Sequence, residues 1–163
     1  MERKILIFKF FFIFFLYFLI YYSNQNQIKI SGKAKIIDGD TIHVENNKIR
    51  LHGIDAPELN QNCNYKNKDW ECGQQSKNFL IQLIDSYEVN CQVTGVDKYK
   101  RYIGICYVNK LNINKMMVKN GWAIAYRYYS KDYTDEEFIA KKMKIGIWKG
   151  EFEEPYIFRK KNK

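Results

Sequence analysis

The sequence predicts a fold that is mainly β with helices (α+β): a five-stranded barrel with about three helices, preceded by an N-terminal hydrophobic helix. Three observations predict it. Alternating apolar positions mark five short strands, three before and two after an amphipathic helical stretch. Turn signals fall between them, and one unbroken apolar run stands ahead of everything else. Three strands, a helix and two more strands suit an OB-fold barrel, whose strand faces and loops bind oligonucleotides.

Residues 1–22 place Arg3, Lys4 and Lys9 ahead of an apolar run from position 10 to position 22. Counted from Ile5 the run is about 18 residues, or roughly 27 Å as helix, enough to cross a bilayer. It ends without the small-residue pair of a cleavage site, which reads as an uncleaved signal-anchor, with a cleaved signal peptide as the alternative. Either keeps the positive flank in the cytoplasm. The domain is then expected to be exported, periplasmic or extracellular and membrane-anchored, or secreted after cleavage. Residues 23–27 (SNQNQ) form a polar linker, 28–159 the domain and 160–163 a basic tail. Disorder is expected from position 158 on, with the basic residues adding nonspecific phosphate affinity. A net charge of +9 suits a polyanionic partner, nucleic acid or an anionic membrane surface. The same charge also follows from a composition rich in Asn, Ile, Lys and Tyr, so charge alone does not choose.

The first strand is expected over 28–37, ending at an Asp-Gly turn signal. The second (41–45) and third (48–53) join through Asn46-Asn47, a suitable two-residue hairpin turn. Residues 69–84 become helical, with Phe79, Leu80, Leu83 and Ile84 on one buried face. The fourth and fifth strands, around 89–93 and 103–108, reverse at Lys98-Tyr99. Helices follow at 111–120, closed by Gly121, and at 133–144, where Thr134 and Glu137 suggest a capping box.

Four cysteines without a C-x-x-C pair argue for disulfides and against zinc. Pairing Asp97 with Lys100 across the reversal sets Cys91 opposite Cys106, close enough for a disulfide. Cys63–Cys72 then closes a short loop.

The stretch DGDTIHVENNKIRLHGIDAPE (38–58) carries acids at both ends. The Asn46-Asn47 turn pairs His43 with Arg50 and Ile42 with Leu51, and puts Asp40 beside Gly53, two residues from Asp55. Ile42, Val44, Ile49 and Leu51 then share the barrel interior. Alternation leaves Arg50 on the outer surface. Gathered carboxylates repel one another unless a positive charge sits among them. A hard, oxygen-preferring cation answers that, and calcium tolerates flexible carboxylate sets better than magnesium.

The ordered motifs DGDT (38–41), RL (50–51), IDAPE (54–58) and DKYKR (97–101), then GWA (121–123) and GIW (146–148), resemble the staphylococcal-type thermonuclease family. The resemblance covers roughly positions 30–148. It implies an OB-fold nuclease that hydrolyses DNA and RNA phosphodiesters with calcium. It also implies that Asp40 and Asp55 ligate the metal with the backbone carbonyl of Ala56. Glu58 would take the general-base position, and Arg50 and Arg101 would grip the phosphate. Asp38 reads as a turn residue. Two departures matter. Lys100 stands where the family has glycine, so a left-handed turn there would be strained. Ala56 replaces a threonine, which a backbone ligand survives.

Tyr126, Tyr128 and Tyr129, with Arg127 and Tyr133, form an aromatic-basic patch suited to stacking single-stranded bases. Core packing is the alternative for some of them. Trp122 and Trp148 read as core, His43 and His52 as surface residues, and Asp135-Glu136-Glu137 as an acidic first helical turn. Two other functions compete with a nuclease. One is an OB-fold nucleic-acid-binding module without catalysis, and the other is a calcium-stabilised adhesion module. A monomer is expected.

Overall fold

The computed structural model describes residues 13–15, 18 and 27–162. The N-terminal segment and most of the linker lie outside these; residues 13–15 and 18 are helical. The remaining chain forms the mixed α+β architecture that the sequence predicts.

The expected first strand is two strands, β1 (Lys29–Gly32) and β2 (Ala34–Ile36), separated by Lys33 alone. Gly32, at φ 149, supplies the bend. β1 pairs with β8 (Val89–Val96), and β2 pairs with β3 (Thr41–Val44). The sheet runs β1-β8-β9-β4-β3-β2, where β4 is Asn47–Leu51 and β9 is Tyr102–Val108. Its two ends are halves of one bent strand, so the sheet curls round on itself. β4 and β9 run parallel, a pairing that the sequence reading did not contain.

The β3–β4 turn lies one residue earlier than expected, at Glu45-Asn46, with Glu45 at φ 51. Val44 therefore faces Asn47, Ile42 faces Ile49 and Thr41 faces Arg50. The partners shift by two positions, which preserves the faces. Ile42, Val44 and Ile49 are fully buried and Leu51 is 1 % exposed. Each such side chain contributes ~1.5–3 kcal/mol of burial.

The β8–β9 turn differs as well. Asp97 pairs with Arg101, so three residues (98–100) form the loop, and Lys100 N–H donates to the Asp97 carbonyl. Lys100 takes the left-handed conformation, φ 62. That is the strained position the missing glycine would have eased. A bulge between Val93 and Gly95 then absorbs one residue, and Cys91 comes to face Cys106 as expected. Both disulfides form, Cys91–Cys106 and Cys63–Cys72.

Outside the main sheet, β5 (Ile54–Asp55) pairs with β11 (Ile124–Ala125), and β6 (Cys63–Tyr65) with β7 (Lys68–Trp70). β10 (Leu111–Asn112) extends β9. Helix α1 (Cys72–Ile84) buries Leu80 and Ile84 against the barrel. In α2 (Ile113–Lys119), the buried Asn114 donates to the His52 and Gly104 carbonyls and accepts from Cys106 N–H. That one side chain ties the helix to the end of β4. Helix α3 (Thr134–Met143) begins at Tyr133 without the expected capping box, because Thr134 Oγ1 donates to the Lys131 carbonyl instead. The tail expected to be disordered carries a helix, α4 (Pro155–Lys161), with proline in its first turn and basic residues in its last.

Replacing Lys100 by glycine relieves the left-handed strain, so Lys100→Gly is expected to stabilise the fold by about 1 kcal/mol. A higher urea midpoint at unchanged slope is the check.

Candidate active site

The acid loop between β2 and β3 is held by close contact. A Cβ on Gly39 would stand 2.0 Å from Ser76 Oγ and 2.7 Å from Ala56 Cβ, so only glycine lets the loop lie flush on α1. Asp38 Oδ1 accepts from Asp40 N–H at 2.9 Å, the turn role expected of it. Asp40, 3 % exposed, accepts from Ala56 N–H through Oδ2 (2.9 Å) and from Thr41 Oγ1 through Oδ1 (3.1 Å).

Asp40 faces Leu51 rather than Gly53, with Leu51 N–H donating to its carbonyl. Arg50, one residue away, thereby lies beside it. The Arg50 guanidinium bridges two carboxylates: Nη1 reaches Asp40 Oδ1 at 2.6 Å and Nη2 reaches Asp55 Oδ1 at 2.7 Å. Asp55 is fully buried and is fixed by the β5–β11 pairing. Glu58, with 30 % of its side chain exposed, follows three residues later. Its N–H donates to Gln61 Oε1, while Gln61 Nε2 donates to the Glu153 carbonyl.

A third arginine completes the cluster. Arg159, from α4, contacts Glu58 Oε1 at 2.6 Å, Asp55 Oδ1 at 2.9 Å and Asp55 Oδ2 at 3.1 Å. The sequence reading does not mark Gln61, and it takes Arg159 only as part of a disordered basic tail. Pro155 at the start of a run that ends in Arg159-Lys160-Lys161 signals a helix, but nothing local points Arg159 at residues 101 and 104 positions earlier.

The titration of the cluster follows from its crowding. Burial, then the neighbouring Asp40 charge, pushes Asp55 up, against the pull of Arg159 and Arg50. The same two causes push Asp38 up to about 7. Burial lowers the Arg50 guanidinium, but Asp40 and Asp55 outweigh it and hold the charge firmly in place. Four carboxylates meet two guanidiniums here, which leaves negative charge in excess when all are ionised.

The structure brings Asp40, Arg50, Asp55, Ala56 and Glu58 together. It does not join Arg101 to them. Arg101 is held by Asp97, whose Oδ2 accepts from Nε at 2.8 Å, and its guanidinium lies 5.5 Å from the Tyr99 ring centre. Burial alone would raise Asp97, but hydrogen bonds from Arg101 outweigh it and lower the carboxyl.

Tyr126, Tyr128 and Tyr129 form one ring cluster, with centres 4.8–6.3 Å apart. Tyr128 and Tyr129 are exposed. Tyr126 borders the acids: burial and then the Asp55 charge raise its hydroxyl. Tyr133 is buried beneath Gly53 and belongs to the core. Trp122 stacks on Phe79, and Trp148 packs on Phe152. Glu137 is a buried pin that accepts from Ala125 N–H and pairs with Arg127 and Lys141. His52 lies between Asp132 and Thr94, and His43 sits half-buried on the outer face of β3.

Known proteins share the sequence of this chain over most of its length. The family model described as "Staphylococcal nuclease homologue" matches residues 48–150. The "Succinoglycan biosynthesis protein ExoI" of Rhizobium meliloti is 31% identical over 126 residues, 75% of this chain and 66% of that protein. An "Uncharacterized endonuclease" of Haemophilus influenzae is 38% identical over 122 residues, 71% of this chain and 64% of that protein. A "Micrococcal nuclease" of Shigella flexneri is 33% identical over 149 residues, 80% of each. The chain thus spans about two-thirds of the first two relatives' lengths.

The Gly39→Ala variant is expected to lose ~1–3 kcal/mol through overpacking against Ser76 and Ala56. Chemical denaturation measures the loss, and Ser76→Gly in the same chain should restore part of it.

Proposed function

We propose, since the chain belongs to the staphylococcal nuclease homologue family, that it hydrolyses phosphodiester bonds of DNA and RNA as a calcium-dependent nuclease with little sequence specificity. The observation that carries this reading is the convergence of Asp40 and Asp55 on one guanidinium with Glu58 beside them.

The residues fit a hard divalent cation. Every donor is oxygen, and burial together with the Asp40 charge raises Asp38 and Asp55, a crowding that added positive charge relieves. Asp40, Asp55 and the Ala56 carbonyl would hold it. When bound, such an ion neutralises phosphoryl charge and acts as a Lewis acid.

The chain's own groups do the rest. Glu58 is partly exposed, unlike Asp40 and Asp55, so it can reach a water molecule and take its proton as the oxygen attacks phosphorus. Gln61 holds the Glu58 backbone still while this happens. Arg50 keeps one N–H of each Nη on Asp40 and Asp55 and has further N–H donors for a phosphate oxygen, where charge grows as the P–O bond breaks. Arg101 joins it on leaving Asp97, and the leaving oxygen takes a proton from solvent. The exposed Tyr128 and Tyr129 rings stack bases, which favours a single-stranded substrate. The apolar N-terminal segment tethers the domain outside the cytoplasm, with secretion after cleavage as the alternative.

A second reading, a binding module without turnover, is favoured by the hold of Asp97 on Arg101 and by the strained Lys100. Incubating the chain with single-stranded DNA, first with calcium and then with chelator, separates the two. Cleavage only with calcium is expected. Retained binding without cleavage selects the second reading.

Glu58→Gln is expected to lower turnover by about 100-fold or more, within the range of a lost general base, at nearly unchanged calcium affinity. Asp40→Asn should lower both. Equal losses of calcium affinity in the two variants would show the roles to be misassigned. Arg50→Ala is expected to remove ~2.7–4 kcal/mol of transition-state stabilisation, read from kcat/KM.

A further inference from the structure

We propose that Arg159 is a resident counter-ion of the acid cluster, so that cation entry and release of the C-terminal helix are a single event. The inference rests on the reading of Asp40 and Asp55 as cation ligands. Both oxygens of Asp55 are engaged by guanidinium groups: Oδ1 by Arg50 at 2.7 Å and Arg159 at 2.9 Å, and Oδ2 by Arg159 at 3.1 Å. Arg159 Nη1, which reaches Asp55 Oδ1, also takes Glu58 Oε1 at 2.6 Å. One side chain therefore blocks a ligand and the water-activating carboxylate together. Among the described residues no group of three His, Cys, Asp or Glu side chains stands open for a metal ion, and the two guanidiniums stand between the carboxylates.

A cation taking Asp55 has to displace one of the two arginines. Arg50 is built into β4, hydrogen-bonded on one side to β3 and on the other to β9. Arg159 lies in the last turn of a seven-residue helix that pairs with no strand of the sheet. That helix buries only Pro155 completely and leaves Tyr156 49 % and Ile157 40 % exposed, so less apolar surface opposes its release than would oppose that of a strand inside the sheet. A divalent ion and a guanidinium also repel each other when both sit on the same carboxylates. Arg159 is therefore the group that leaves.

Two measurements on the full chain test this. Calcium is titrated calorimetrically into the unmutated chain and into Arg159→Ala, and hydrogen exchange over residues 155–161 is followed with and without calcium. Arg159→Ala is expected to bind calcium about tenfold tighter or more, since a site open in one molecule in ten binds about tenfold more weakly than one always open. Calcium is expected to accelerate exchange over 155–161 in the unmutated chain. Equal affinities overturn the inference and leave the calcium reading standing. Tighter binding with exchange unaltered by calcium also overturns it, because Arg159 would then act through its charge alone. Calcium binding to neither protein overturns both readings. The exchange measurement needs no substitution and so decides the matter even if the variant fails to fold.

Discussion

The Arg50 guanidinium holding Asp40 and Asp55 at once is the interaction on which the site depends. Two nearly inaccessible carboxylates side by side are unfavourable, and a buried charge without a partner is more so. The bridge makes their approach tolerable, and each of its three members comes from a different element. Asp40 is delivered by the loop after the bent first strand, Arg50 by β4 and Asp55 by the β5–β11 pair. The barrel is thus a device for meeting: closing the sheet through Gly32 brings the three together.

The bridge also explains why the cluster remains electrically unsettled. Asp38 and Asp55 are both pushed towards neutrality by burial and by Asp40, even with arginines present. A site of this kind accepts further positive charge readily, and Arg159 supplies some of it to Asp55 and Glu58.

Much of the fold was legible from alternation. Ile42, Val44, Ile49 and Leu51 point inward whichever of two registers is chosen, because a shift of two positions leaves every side chain on its face. The break at Lys33 was hidden for the same reason: the apolar rhythm continues across it, and Gly32 was the one sign of a bend. The gathering of Asp40, Asp55 and Glu58 was legible because those residues lie within one hairpin and its exit. Their link to Arg159 was not, since it depends on a helix docking from the far end of the chain. Arg101 shows the opposite limit. Motif order drew it to the phosphate, while the side chain is engaged locally by Asp97.

The β8–β9 hairpin has a loop one residue longer than the shortest reading and, between Val93 and Gly95 on its first arm, a bulge that takes that residue up again. The two irregularities cancel, and only then do Cys91 and Cys106 stand face to face. The bond between them serves as a gauge of hairpin length. An insertion or deletion at the tip leaves the sulfurs mismatched unless a second change compensates it, so lengths on the two arms can drift only in concert.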